Sequence, residues 1–343
     1  RLQHVAGSLG LKHEALVCDV ARAYDRYVAI AARMPLLTAD FALLSYVDLA
    51  TEIASRDGDG IVDGLGSDLY FGMPVSWKGH ICNWLAQGRR LPEGLMTLPG
   101  IRGNFPLCFL LGTAQMDARE RYFPGSRFTD AEVDALLGQD IAWRSKARLS
   151  AFDDAMALVG SADEMHNLVV SIWEPGAYGK GQYPASALSL KIAYPYCDRR
   201  LGDWVHRCVP AHKLIDPISR SNKVLVREHI ATRFDELPYV TGKGCFRFDL
   251  VGLARACFDQ VHAYAVDAAD ILPGAAGWLE SARPHLGNKY HASKFYLLAV
   301  VLPWILQRRS EPAQATHHLS SRGRPLESDR VGLEQLTREC SSK

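Results

Sequence analysis

Residues 60–73 read GIVDGLGSDLYFGM, a β-branched pair followed at once by a turn with two glycines. Gly60-Ile61-Val62 has the composition of a short buried strand. In parallel α/β proteins, ligands bind at the carboxyl ends of strands, so the loop that follows is placed to bind one. Gly64 and Gly66 let the backbone approach a phosphate closely, and Asp68 offers a hard oxygen ligand for Mg²⁺. A purely structural turn would use the same residues, and both interpretations stay open here.

The segments upstream of this loop alternate between helix and strand signals. Residues 2–9 place apolar side chains on one helical face, and Gly10 is a helix stop. His13–Cys18 has the length and composition of a strand, and Thr38-Ala39-Asp40 can cap a helix that ends by residues 56–58. Helix, strand, helix, strand and a glycine loop predict an α/β fold with a parallel sheet and flanking helices.

The second half of the chain predicts a helix-rich region. Residues 129–132 form a capping box, and residues 150–174 and 250–282 have helical spacing. The apolar run Phe295–Leu306 is too short to span a bilayer and predicts a buried helix. The chain turns polar from residue 308. We therefore expect one domain over residues 1–310 and a mobile tail over 311–343, with a short helix near residues 331–340.

Composition excludes several classes of function. The 343 residues are 48% hydrophobic and 22% charged, with a net charge of +1, as in ordinary soluble domains. Such a small charge gives no field that would attract nucleic acid or an anionic membrane. The eight cysteines form no C-x-x-C pair and the histidines no H-E-x-x-H motif, so we expect reduced thiols in the cytoplasm and no zinc site. No G-x-G-x-x-G opens a helix after a strand, which argues against a nucleotide-dependent redox enzyme.

Five segments resemble motifs of the asparagine synthetase family, in the family's order. Asp63–Met73 resembles S-G-E-G-x-D-E-L-F-G-G-Y, with both glycines, the aspartate and Phe71-Gly72 in register. The other segments are Val5–His13 (V-A-x-x-L-G-x-x-H), Tyr194–Leu201 (V-P-F-L-D-x-x-L), Asn222–Glu228 (G-K-x-x-L-R-E) and Leu237–Phe246 (L-P, then K-x-x-F).

The resemblance implies an adenine nucleotide alpha-hydrolase-like fold and an ATP-dependent carbon–nitrogen ligase. In such a ligase a carboxylate attacks the α-phosphate of ATP, and an amine or ammonia then displaces AMP. Asp68 would ligate Mg²⁺, and Lys243 would be the catalytic residue, a fixed cation that stabilises developing charge; a solvated loop lysine is the alternative. Arg227 shares a helical face with Lys223, and a structural role is favoured for it. The residues implied at the ATP pyrophosphate are Asp63, Gly64, Gly66, Ser67 and Lys223.

The chain also departs from the family. The nucleotide loop S-G-G-x-D-S and the glutaminase domain are absent, and the chain begins at Arg1 inside a predicted helix, so we expect sequence to be missing upstream. The glutamate of S-G-E-G is Leu65, and the family's E-x-R reads Lys191-Ile192-Ala193, which reverses a charge.

These changes leave three functional hypotheses open. The chain is a ligase of asparagine synthetase type, a specialised amide synthetase like the β-lactam synthetases or lasso-peptide cyclases, or a degenerate member that serves as a binding or scaffold module. The expected partners of the ligase are a small carboxylate, an amine or ammonia donor, and a glutaminase domain or subunit as a candidate source of ammonia.

Overall fold

The computed structural model describes residues 2–72, 81, 84, 88, 90–98, 100–117, 119–122, 128–147, 149–219, 221–233 and 248–310. The chain divides into two units, residues 1–307 and 308–343, and the core and the candidate sites lie in the first. Lys243 and the expected tail helix at residues 331–340 lie outside the described residues.

Helices dominate the described part of the chain. The first eight are α1 (Leu2–Ser8), α2 (Val20–Ile30), α3 (Leu43–Ser55), α4 (Ser67–Tyr70), α5 (Phe105–Gln115), α6 (Asp130–Leu137), α7 (Ala142–Ala147) and α8 (Asp153–Leu158). The next seven are α9 (Ala162–Ala187), α10 (Arg199–Cys208), α11 (Ala211–Leu214), α12 (Val224–Arg233), α13 (Leu250–Asp267), α14 (Ala275–Ala282) and α15 (Lys289–Ser310). Short 3-10 turns lie at Ala31–Arg33, Glu93–Thr97, Glu120–Tyr122, Leu149–Phe152, Pro195–Cys197 and Arg283–His285.

A small parallel sheet is the strand component of the described residues. Strand β1 (Gly60–Val62) pairs in parallel with β2 (Lys191–Ala193), with Gly60 opposite Lys191 and Val62 opposite Ala193. Helices α3 and α9 precede these strands and pack against each other. The predicted parallel α/β arrangement is confirmed at this coarse level. Burial of the strand was predicted wrongly, because Val62 is 77% exposed.

The core is helical and joins distant parts of the chain. Helices α2, α3, α13 and α15 supply most of the fully buried apolar side chains. The hydroxyl of Tyr24 on α2 donates to the carbonyl oxygen of Ala299 on α15 at 3.0 Å, and Tyr27 donates likewise to Val300. Pro303 lies inside α15. The sequence therefore closes its core by packing an early helix against a late one.

Several helix predictions are confirmed, and one strand prediction is wrong. Thr129 caps α6 and forms the capping box with Glu132, and the run Phe295–Leu306 lies in the buried helix α15. Residues 13–18 have no regular secondary structure, although their composition favoured a strand. They pair with no strand in the described part of the chain, and an extended segment without a partner strand lacks the backbone hydrogen bonds that would stabilise it. No helix within the described residues is long and apolar enough to cross a membrane.

Candidate functional site

The loop after β1 turns sharply on the carboxylate of Asp63. The backbone N–H of Asp63 donates to the carbonyl oxygen of Ala193, which extends the pairing of the two strands by one residue. One carboxylate oxygen of Asp63 accepts from the N–H of Leu65 at 3.0 Å, and the other accepts from the Tyr46 hydroxyl at 2.6 Å. Both oxygens therefore hold the loop in shape, which is the role of an aspartate in an Asx turn.

The two glycines of the loop serve different purposes. Gly66 has a φ of +94°, and a Cβ there would lie 2.5 Å from Cys197 Sγ and 3.1 Å from the Tyr178 hydroxyl. Glycine is thus required at residue 66 by conformation and by packing. A Cβ at Gly64 would meet only the Tyr196 ring, at 4.0 Å. The backbone of Gly64 therefore has open space beside it, as a loop needs if a ligand is to approach closely.

Lys223 joins the loop from a segment 156 residues further along the chain. Its ammonium nitrogen lies 2.7 Å from Ser67 Oγ and 2.8 Å from Asp68 Oδ1. Its backbone N–H donates to the carbonyl oxygen of Phe71, and its φ of +59° is unusual for a residue with a side chain. The structure thus brings together Ser67, Asp68 and Lys223, which come from two separate sequence segments. It leaves their side chains partly exposed to solvent.

Glu174 and Tyr178, which the sequence analysis missed, lie behind the loop on α9. Glu174 is 4% exposed, and its Oε1 accepts from the Tyr178 hydroxyl at 3.1 Å. No hydrogen-bond donor reaches Oε2 among the described residues. Burial raises the pKa of the Glu174 carboxyl, the Tyr178 hydrogen bond opposes that shift, and the charge of Asp68 adds to it. A buried carboxyl with one vacant oxygen beside a ligand loop is typical of functional sites.

A local sequence signal argues against the helical pairing of Glu174 with Tyr178. Pro175-Gly176 follows it directly, and this pair predicts a break between helices. The helix nevertheless continues from Ala162 to Ala187. Only with that continuity do Glu174 and Tyr178 share a face at the i, i+4 spacing.

A layer of polar aromatic side chains supports the loop from the side of α9. The Tyr194 hydroxyl donates to the carbonyl oxygen of Tyr178 at 3.0 Å, and their ring centroids are 5.0 Å apart. Burial, aided by the Asp63 charge, raises the pKa of Tyr46 and of Tyr194. Lys180 pairs with Asp40 at 2.8 Å. The tyrosines that support the loop therefore keep their hydroxyl protons across the physiological pH range.

Four further residues that the sequence analysis singled out, or that lie in the segments it compared, make local contacts or are exposed. Asp198 caps α10 by accepting from the N–H groups of Arg200 and Leu201. Arg227 donates to the carbonyl oxygen of Asn222 at 2.8 Å, which fits the structural role expected of it. Leu65 accepts a weak Cys197 S–H bond at its carbonyl, and the side chain of Lys191 is exposed at the start of β2.

The chemistry of the loop suits a phosphorylated ligand bound with Mg²⁺. Lys223 supplies a cation, Ser67 a hydroxyl, Gly64 an open backbone and Asp68 a hard carboxylate. The described residues contain no group of three or more His, Cys, Asp or Glu side chains that could hold a metal ion by themselves. That donor set fits Mg²⁺, which commonly binds through one or two carboxylates together with the phosphates of its substrate.

Comparison with known proteins gives no match: no family model, no curated protein and no solved structure is similar to the chain. Any assignment of function therefore depends on the ordered sequence segments and on where the structure places their residues.

Proposed function

We propose that the chain is an ATP- and Mg²⁺-dependent ligase of asparagine synthetase type, which activates a carboxylate as its adenylate for attack by an amine or ammonia. The observation that carries the proposal is the convergence of Ser67, Asp68 and Lys223 at the carboxyl end of β1. In the resembling family these positions belong to two separate motifs. The small parallel sheet is compatible with an adenine nucleotide alpha-hydrolase-like fold, which is part of the proposal.

In this proposal the residues of the loop bind the leaving pyrophosphate. The Lys223 ammonium and the Ser67 hydroxyl donate to its oxygens, and the open backbone at Gly64 lets it approach. Asp68 would hold Mg²⁺, which supplies charge neutralisation at the phosphates. The carboxylate forms a bond to the α-phosphorus of ATP as the bond to pyrophosphate breaks. The amine nitrogen then attacks the carbonyl carbon of the adenylate and loses a proton. The bond from that carbon to the bridging oxygen breaks, so AMP leaves with the oxygen and its electron pair.

Lys243 is proposed as the catalytic residue because it matches the family's K-x-x-F. A fixed ammonium in a dry site stabilises negative charge that develops as the adenylate forms. Leu65 bears on which carboxylate substrate is activated, because an apolar side chain stands in the centre of the loop where the family has a glutamate. That change favours a substrate other than aspartate, as in a specialised amide synthetase.

Leu65 and Lys191 also favour a second candidate, a non-catalytic family member that binds nucleotide as a scaffold module. The two candidates share the pyrophosphate loop and differ in the chemistry. A ligase exchanges pyrophosphate into ATP in the presence of its acid, whereas a scaffold module binds Mg²⁺–pyrophosphate without exchange.

Two measurements on the whole chain test the proposal. We expect calorimetry to show Mg²⁺–pyrophosphate binding that Lys223→Met and Asp68→Asn each weaken by about tenfold or more, because each loses a charged contact. Lys213→Met is the matched control and should bind normally, because Lys213 on α11 is a partly exposed lysine that also pairs with a carboxylate, that of Glu228. We further expect ATP–pyrophosphate exchange with at least one acid from a panel of carboxylates, and its loss in Lys243→Met.

The outcomes separate the candidates. Binding without exchange for any acid would favour the scaffold module over the ligase. Binding that is unaffected by Lys223→Met and Asp68→Asn, or weakened equally by Lys213→Met, would refute the assignment of the loop.

A further inference from the structure

A cavity of about 380 Å³, separate from the loop at residues 63–68, opens in the helical part of the fold. It lies between α6, α14 and α15 and the segment 94–102, and none of its lining residues belongs to the loop at residues 63–68. Its volume is that of a small-molecule pocket. The charged and imidazole groups in its wall are Arg102, Glu132, His285, His291 and Lys294, with the Trp278 ring beside them.

Lys294 presents a buried ammonium whose hydrogen bonds are incomplete. Its side chain is 3% exposed, and its Nζ lies 2.8 and 2.6 Å from the two carboxylate oxygens of Glu132. An ammonium has three N–H donors, and no further acceptor reaches Nζ among the described residues. Glu132 also accepts from the backbone N–H of Thr129 and from Trp278 Nε1. The carboxylate is thus saturated with donors, while the third ammonium hydrogen lacks an oxygen or nitrogen acceptor among these residues and Nζ lies 4.8 Å from the centroid of the Tyr290 ring.

His291 adds a second polar atom without a partner. Its Nε2 is buried and has no hydrogen-bond partner within the described part of the chain. Burial, followed by the positive charge of Lys294, lowers the pKa of His291 to about 4, so the ring is neutral at pH 7. A buried polar atom left unpaired is destabilising, and a bound ligand with a matching group would relieve that cost.

Arg102 supplies an exposed guanidinium at the rim. Its Nη1 lies 3.4 Å from His285 Nε2, and its carbonyl oxygen accepts from the Asn288 side chain at 2.8 Å. Asn288 directly precedes α15, so the backbone of Arg102 is fixed to the helix that carries His291 and Lys294. The wall therefore contains two cations and one carboxylate, and the carboxylate is already fully occupied.

We propose that this cavity binds a small molecule through an oxyanion group, a carboxylate or a phosphate, which contacts Arg102, Lys294 and His291 while its apolar body packs on Trp278. The two cations outnumber the one carboxylate in the wall, which favours an anion over a cation as the ligand. The aromatic ring gives contact area to an organic body in addition to the charged contacts. This site is independent of the proposed ATP site.

Calorimetric titration of the whole chain with sodium phosphate and, separately, with sodium benzoate tests the proposal at constant ionic strength. We expect saturable 1:1 binding of at least one anion. Arg102→Gln should weaken it about tenfold, because a charge-assisted hydrogen bond is lost at an exposed position that does not threaten folding. Arg33→Gln is the matched control, since Arg33 is equally exposed and makes no ion pair with a described residue.

Histidine NMR gives a second readout. The bound anion should raise the pKa of His291 in the wild-type chain, and His291→Gln should weaken binding. Binding of phosphate alone identifies a phosphate ester, and binding of benzoate alone identifies an organic carboxylate. Absence of saturable binding for both anions, or equal weakening by Arg33→Gln, would overturn the proposal.

Discussion

Glu174 is a residue whose burial works against the stability of the chain. Its carboxyl is 4% exposed and lies near enough to Asp68 for the two charges to repel. Such an arrangement destabilises the folded chain, whereas it suits a site that transfers protons or binds cationic groups. We therefore expect the side chain to matter more for activity than for folding.

The pH dependence of stability tests this expectation. Because the pKa of Glu174 is raised in the folded chain, the unfolded chain ionises first as pH rises, and stability falls with pH above the ordinary carboxyl range. Glu174→Gln removes that loss. We expect its melting temperature to exceed that of the wild-type chain at pH 8 and the difference to shrink towards pH 4. Asp25→Asn, at an exposed carboxylate of α2 that makes no ion pair with a described residue, is the control and should show no such trend.

At the scale of single residues, the sequence indicated some residues of the candidate site and gave no indication of others. Ser67, Asp68 and Lys223 came from two motifs, and the structure brings them into contact. Glu174 could not be found in the same way because the adjacent proline and glycine predicted a helix end. Tertiary packing of α9 against α3 overrides that local preference.

Among the elements, helix α15 shows how a local defect is compensated by another helix. Pro303 has no N–H, so the carbonyl oxygen of Ala299, four residues earlier, lacks its helical donor. The hydroxyl of Tyr24 on α2 donates to that same oxygen at 3.0 Å. The contact between the two helices thus supplies a hydrogen bond that the sequence of α15 cannot.

A double-mutant cycle measures this compensation. We expect Tyr24→Phe to destabilise the chain by about 1–3 kcal/mol, because it leaves a buried carbonyl oxygen unpaired. In a Pro303→Ala background, where an N–H is restored, the same substitution should cost less. Urea unfolding gives the four free energies. Tyr27→Phe is the control, because the carbonyl oxygen of its acceptor, Val300, is followed four residues later by Trp304, which has an N–H. An equal coupling energy with Pro303→Ala for both tyrosines would contradict this explanation.

Element prediction succeeded where a local signal was strong. The capping box at Thr129–Glu132 and the long apolar run in α15 were both predicted, because capping and burial are encoded by neighbouring residues. Strand β2 was not predicted, since three residues are too few to show a periodicity. Residues 13–18 were predicted as a strand from composition alone, and composition does not provide a pairing partner.

For the molecule as far as the structure describes it, the sheet is smaller than its sequence pattern suggested. The predicted α/β class holds for β1 and β2, but most of the buried apolar surface lies between helices α2, α3, α13 and α15. The last core contacts come from Leu306, and Gln307 bonds to the backbone of Val28 and Ala32.

The extent of the cooperative unit follows from these contacts. We expect a chain that ends at Ser310 to unfold within about 2 °C of the full chain, because the described core is complete by Gln307. Thermal unfolding followed by circular dichroism makes the comparison. A chain that ends at Pro303 is the control and should be clearly less stable, since it loses Trp304 and its bond to the carbonyl oxygen of Met34. A clearly lower melting temperature for the chain that ends at Ser310 would show that residues 311–343 contribute to the core.

The left-handed backbone of Lys223 has a consequence for how the loop could evolve or be engineered. Glycine or asparagine would adopt a φ of +59° at lower conformational cost, which makes lysine an unfavourable choice for folding alone. Its ammonium offsets this cost only while it bonds to Ser67 and Asp68. Selection for thermal stability without selection for activity would therefore drive this position away from lysine, so an engineered chain that gains stability by Lys223→Gly is expected to trade ligand recognition for it.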